Sequence, residues 1–190
     1  MQLENRGIAV TILTTHNQFM KKLKIETGTD NKILREISKP VKKIDKQLLK
    51  FIKEMEFTLD NSNAVGLAAP QVGENIRVLI AKFNHGTDHE VNVPMINPEI
   101  VWASEEMDID EEGCLSIPDY FNKVVRHSEI IVKFLDVKNR EQMLKLSGFN
   151  GRVVQHEIDH LDGILFVDKM VEEVEANLAM RQNHDEHLSI

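Results

Sequence analysis

The sequence predicts an α+β fold, with mostly antiparallel strands around a central helix. Three observations carry that expectation. β-Branched and apolar segments bounded by turn residues occupy the middle of the chain, a helical segment rich in histidine and acidic residues follows them, and strands and helices do not alternate regularly. A doubly wound parallel sheet would need that alternation.

With 190 residues and 42% hydrophobic content, the chain suits one domain, 1–190, with a sizeable core. Residues 1–19 form a candidate N-terminal extension, because Met20-Lys21-Lys22-Leu23 would pass for a second start. A formal charge of −8 argues against stable nucleic-acid binding. No run approaches the ~20 apolar residues of a membrane span, and no basic segment precedes an apolar core at the N-terminus. The expected location is therefore cytoplasmic. Cys114 is the lone cysteine and cannot form an internal disulfide. Burial, reactivity and metal ligation remain open to it, and cysteine count alone favours burial.

Along the chain, Asp45 to Leu59 predicts an amphipathic helix, with Leu48, Ile52, Met55 and Leu59 on one stripe and Phe57 off it. Ala64 to Gly73 predicts a short extended segment and a loop, since Pro70 lacks an amide donor and Gly73 suits a turn. Ile76 to Ala81 reads as a strand and 85–89 as a loop tip. Met95 to Val101 reads as an extended piece broken by Pro98. Ile130 to Val137 is the clearest strand, and a partner through Met143 to Leu146 closes a hairpin. Asp108, Asp110 and Glu111 read as a solvated acidic loop. Ser147 or Asn150 is expected to cap the next helix, whose Val154, Ile158 and Leu161 bury one face and which Gly163 ends. Residues 171–190 complete the domain as a terminal helix and tail.

That penultimate helix carries Gln155-His156-Glu157-Ile158-Asp159-His160-Leu161-Asp162-Gly163. Histidines four apart share a helical face, so both rings can reach one ion at about 2 Å. Glu157 then flanks the ion without ligating it. This is the pattern of a central metal-binding helix that activates water, with the glutamate as proton acceptor. A pair of surface histidines is the alternative. The other histidines and the single Trp102 and Tyr120 read as surface, core or rim residues.

Three blocks together resemble the peptide deformylase family: Gly66-Leu67-Ala68-Ala69-Pro70-Gln71, Glu112-Gly113-Cys114-Leu115-Ser116 and Gln155 through Gly163. They stand in the family's order, and the resemblance extends from about Ile33 to Asp168. It implies a peptide deformylase-like fold and one divalent metal held by Cys114, His156 and His160. Fe(II) is the expected metal in the cell, with zinc, nickel or cobalt as substitutes. The implied reaction removes the formyl group from the N-terminal formyl-methionine of newly synthesised polypeptides by metal-hydroxide attack, with Glu157 as general acid and base.

By the same resemblance, Gln71 and the Leu115 backbone N–H stabilise the oxyanion. The peptide is expected to add as a strand along Val65-Gly66, and Val65, Phe149 and Val153 are candidates for the methionine pocket. Arg126 is expected to pair with Asp159 behind the histidines. Ala64 and Gly151 depart from the family's usual glycine and alanine. The enzyme is expected to act as a monomer, transiently near the ribosome. A zinc endopeptidase is the nearest rival, disfavoured by the Cys114 block. A closed structural metal site is another, disfavoured by Glu157 and Gln71 together.

Overall fold

The computed structural model describes residues 20–171, so the candidate extension 1–19 and the terminal helix and tail expected beyond Val171 lie outside the described residues. A single helical turn, α1 (Lys32–Arg35), leads to α2 (Lys46–Asp60). Seven strands follow: β1 (Gly66–Ala68), β2 (Val78–Phe83), β3 (Val91–Ala103), β4 (Met107–Cys114), β5 (Ile117–His127), β6 (Glu129–Leu135) and β7 (Glu141–Ser147). Helix α3 (Gly148–Leu161) comes after all of them. Every strand pairing is antiparallel, in a five-stranded sheet ordered β1-β2-β3-β6-β7 and a separate β4–β5 hairpin. The fold is thus α+β and antiparallel, as the order of segments predicts.

The larger sheet separates two apolar layers. Strand β2 is buried throughout because its side chains alternate between them. Leu79, Ala81 and Phe83 pack toward Val153, Val154, Ile158 and Leu161 of α3, whereas Val78 and Ile80 pack toward Ile52, Met55 and Leu59 of α2. Asp45 caps α2, its carboxylate accepting from the N–H groups of Gln47 and Leu48. The predicted stripe is the buried one, and Phe57 is partly buried off it.

Several local expectations change. The segment after Ala64 forms β1 and then one 3₁₀ turn, Ala69–Val72, rather than a loop, with Pro70 in the first turn where its missing N–H costs nothing. Pro98 does not break its strand. β3 runs unbroken from Val91 to Ala103 and absorbs the proline in a bulge between Ile96 and Glu99, with Asn97 at φ 51°. The acidic residues before Cys114 stand on strand β4 instead of a loop. Ser147 is the N-cap residue of α3, but its side chain makes no capping bond, and Asn150 accepts instead from the Asn84 N–H. Gly163, at φ 73°, follows the helix as expected. Finally, α3 is buried from Gly151 through Leu161 on all sides, not on one face.

Candidate active site

Helix α3 holds its polar residues inside the protein, so each needs a partner. One face turns His156 and His160 toward Cys114, at the end of β4, where a register shift between Gly113 and Cys114 redirects the chain. The ligand atoms of these three residues all lie within 4.8 Å of one another. Cys114 Sγ stands 3.2 Å from His160 Nε2. One thiol and two imidazoles at this spacing, in a buried setting, fit a first-row divalent metal and leave room for a further ligand.

Behind the histidines lies a buried ionic cluster. His156 Nδ1 donates to Glu112 Oε2 at 2.8 Å, which leaves Nε2 for the centre of the site. Arg126 makes two bonds to Glu112, at 2.9 and 2.8 Å, and also pairs with Asp159. Arg152 adds a bond to Glu112 at 2.9 Å and reaches the carbonyls of Val124 and Asp108. Lys169 closes the cluster on Asp159 at 2.7 Å. Gln155, by contrast, clamps the main chain of His127 through both its oxygen and its nitrogen.

These contacts set the electrostatics. Burial disfavours the Glu112 carboxylate, but hydrogen bonds from Arg126 and His156 outweigh it and hold the group well below the usual carboxylate range. Burial likewise disfavours charge on His156, yet its bonds to Cys114 and Glu112 raise it to about 10. For His160, burial and the neighbouring His156 charge both act downward. Burial dominates Glu157 and pushes its carboxyl up to about 7, where a group can both take and return a proton near neutral pH.

A cavity of about 440 Å³ opens over this centre. Its lining includes Val65, Gly66, Gln71, Cys114, Leu115, Phe149, Val153, His156 and Glu157. Glu157 Oε2 is buried there without a partner among the described residues. Gly66 touches the carboxylate so closely that a Cβ on it would lie 2.3 Å from Glu157 Oε1. In the 3₁₀ turn, Gln71 Oε1 accepts the Ala68 N–H at 2.8 Å, which fixes the amide with Nε2 facing Cys114 Sγ at 3.4 Å and Ser116 Oγ at 3.3 Å. His160, 1% exposed, is absent from the cavity lining.

The family model for polypeptide deformylase matches residues 23–176. This chain belongs to the polypeptide deformylase family. The deformylase of Halothermothrix orenii is 45% identical over 139 residues, covering 73% of this chain and 88% of its own. Peptide deformylase 2 of Prochlorococcus marinus is 37% identical over 153 residues, covering 80% of this chain and 76% of its own. Among solved structures, the Thermotoga maritima deformylase superposes with a TM-score of 0.74 at 38% identity, covering 80% of this chain and 99% of that one. An Acinetobacter baumannii deformylase bound to Met-Ala-Ser gives 0.74 at 36% identity, covering 80% and 100%. Members of this family are metal-dependent hydrolases.

Sequence reasoning names the residues at the centre but misses part of what surrounds them. Glu112 is recognised only as part of its block, whereas in the structure it joins Arg126, Arg152 and His156. Arg152 lies outside the three motif blocks, although a cation four residues before His156 in a helix destined for burial signals a partner. Phe166, stacked 6.1 Å from the His156 ring, carried no such signal. The other expected bystanders stay at the surface: Trp102 and Tyr120 are half-exposed, and His127 caps the Ser104 carbonyl at 2.7 Å.

Proposed function

We propose that this chain hydrolyses the N-terminal formyl group of formyl-methionine on newly synthesised polypeptides, using one divalent metal held by Cys114, His156 and His160. The observation that carries the reading is Glu157 Oε2, buried and unpartnered among the described residues in the cavity that Cys114 and His156 of the three-residue cluster line. A divalent ion held there would lower the pKa of a water and polarise the formyl oxygen.

The chain's own residues supply the remainder. Glu157 Oε2 receives the proton of the attacking water and returns it to the amine that leaves. Gln71 Nε2, with its amide orientation fixed by Ala68, donates to the oxyanion, and the Leu115 backbone N–H is the second donor. Among the described residues β1 pairs with β2 alone, so its outer edge lies beside the cavity at Gly66, the Ala68 N–H being taken by Gln71. A peptide adding to that edge is held by main-chain bonds, so its sequence matters little for the pairing itself. Val65, Val153 and Phe149 line the space available to the methionine side chain. Arg126 and Asp159 keep the helix and His156 in place through Glu112.

One sulfur and two nitrogen donors accept Fe(II), zinc, nickel or cobalt, and we propose Fe(II) as the cellular metal. We further propose a monomer, and action on nascent peptides puts the enzyme near the ribosome in the cytoplasm. Among the described residues no helix is long and apolar enough to cross a membrane. The test is formate release from formyl-Met-Ala-Ser under anaerobic conditions with Fe(II)- or Ni(II)-loaded protein. Wild type is expected to release formate and Glu157→Ala to lose about 10²–10⁴-fold in turnover while keeping its metal. Fully metallated wild type that releases none would refute the reading.

A further inference from the structure

The chain leaves α3 at Gly163 and returns along it. Residues 164–171 form one 3₁₀ turn, Phe166–Asp168, and then reach the β4–β5 hairpin, where Met170 bridges to Val124 and the Val171 N–H donates to the Lys123 carbonyl at 3.1 Å. The Ile164 N–H donates to the Asp159 carbonyl at 2.9 Å, and the Arg35–Asp168 ion pair ties the middle of the segment. Two side chains of this strap meet the helix that carries the histidines. The Phe166 ring, 1% exposed, stacks on His156, and the Lys169 ammonium donates to Asp159 Oδ1 at 2.7 Å. Asp159 is the junction, because its Oδ2 pairs with Arg126 and both oxygens of a buried carboxylate are thereby held. Arg126 turns Nη1 to Asp159 and Nε and Nη2 to Glu112, and Glu112 Oε2 accepts from His156 Nδ1. A continuous run of ionic hydrogen bonds therefore leads from Lys169 to a member of the three-residue cluster. The other side chains of the run are 11% exposed or less, whereas that of Lys169 is 39% exposed. Lys169 is thus where the run meets water, and it stands beyond the three motif blocks.

We infer that Lys169 is a positioning residue for the metal centre, holding Asp159 so that Arg126 stays seated on Glu112 and His156 Nε2 stays aimed at the ion. The inference rests on the metal reading proposed above. Without the ammonium, Asp159 Oδ1 loses its partner and the carboxylate turns toward water, since a buried acceptor left alone is costly. Arg126 then loses the anchor on one side of its planar guanidinium, and the bonds it makes to Glu112 slacken with it. The effect has a definite sign. A lysine acting only through its charge repels a divalent cation, so its removal would slow release of the metal. A lysine acting through position does the opposite.

The test loads the full chain with Co(II) under anaerobic conditions and follows transfer of the metal to an excess of a chromophoric chelator. Lys169→Met is expected to release Co(II) about tenfold faster than wild type, the lower end of what loss of a partner behind a ligand costs, because Asp159, Arg126 and Glu112 stand between Lys169 and His156. Lys169→Arg keeps a cation that can bond Asp159 and is expected to release within about threefold of wild type. Lys133→Met removes the same charge from an exposed pair with Glu99, outside the run, and is expected to match wild type. A lysine that served stability alone would lower the denaturation midpoint and leave the release rate where it was. Release from Lys169→Met no faster than from wild type, or raised as much in Lys133→Met, overturns this inference alone. Wild type that does not retain about one Co(II) per chain overturns the metal reading and the inference with it.

Discussion

The two helices that pack on the five-stranded sheet obey the same burial physics with opposite chemistry. α2 buries Ile52, Met55 and Leu59 and leaves its polar face to water. α3 buries Arg152, Gln155, His156, Glu157, Asp159 and His160 along with its apolar residues. An apolar stripe is stable wherever it is covered, but buried ionic groups persist only when their partners are in place. The α2 layer therefore tolerates small losses locally. The α3 layer should fail as a unit, and failure should reach the metal ligands.

The largest effect should follow Glu112→Ala, which takes from the buried Arg126 and Arg152 the carboxylate they share and frees His156 Nδ1. Removing one member of such a cluster typically costs about 3–5 kcal/mol, and loss of a ligand's supporting bond weakens metal affinity by about 10–100-fold. Denaturant midpoints and metal content measured on the same preparation will report both, and a drop in stability with metal affinity intact would break the proposed coupling. Next, Gln71→Ala should lower kcat by about 10²–10³-fold with little change in KM, as expected for a donor that acts on the developing oxyanion, and should cost about 1–3 kcal/mol of stability because the buried Ala68 N–H loses its acceptor. Equal losses in kcat and in peptide affinity would reassign Gln71 to binding.

On the opposite layer, Ile52→Val should cost only about 0.5–1.5 kcal/mol and leave turnover per folded molecule unchanged. The smallest effect belongs to Asp168, paired with Arg35 at the surface with a side chain 39% exposed. Its bond to Arg35 lowers its folded pKa, so the contribution is present above the unfolded aspartate value of about 3.9 and is lost as pH falls through the lower folded value. Solvent screening keeps Asp168→Asn below about 1 kcal/mol at neutral pH, and the deficit should vanish in acid. A thermal-melt series from pH 7 to pH 2 reads it directly.

The same contrast explains what could be read before the structure. Helix α2 was legible because a half-buried helix writes its period into the chain, and the β6–β7 hairpin because the β-branched run Ile130-Ile131-Val132 leads into the turn-prone Lys138-Asn139-Arg140. The three motif blocks bring Cys114, His156, His160, Glu157 and Gln71 forward, and the structure gathers the first three into one cluster, with Cys114, His156, Glu157 and Gln71 lining one cavity. The β4–β5 hairpin was not legible. Its Asp and Glu residues have poor strand propensity, and beside its backbone ladder it is tied by Glu112 pairing with Arg126 across the hairpin and with Arg152 of α3. The unbroken course of β3 past Pro98 was hidden for a related reason, since a bulge is a tertiary accommodation that no local pattern announces.

The contact between Gly66 and Glu157 ties two distant positions of the gene together. With the glutamate present, any side chain at position 66 collides with its carboxylate, and a shorter acid at 157 would withdraw the proton acceptor from the centre. A side chain at position 66 would have to displace the Glu157 carboxylate, so the missing Cβ of Gly66 keeps the place of the proton acceptor clear.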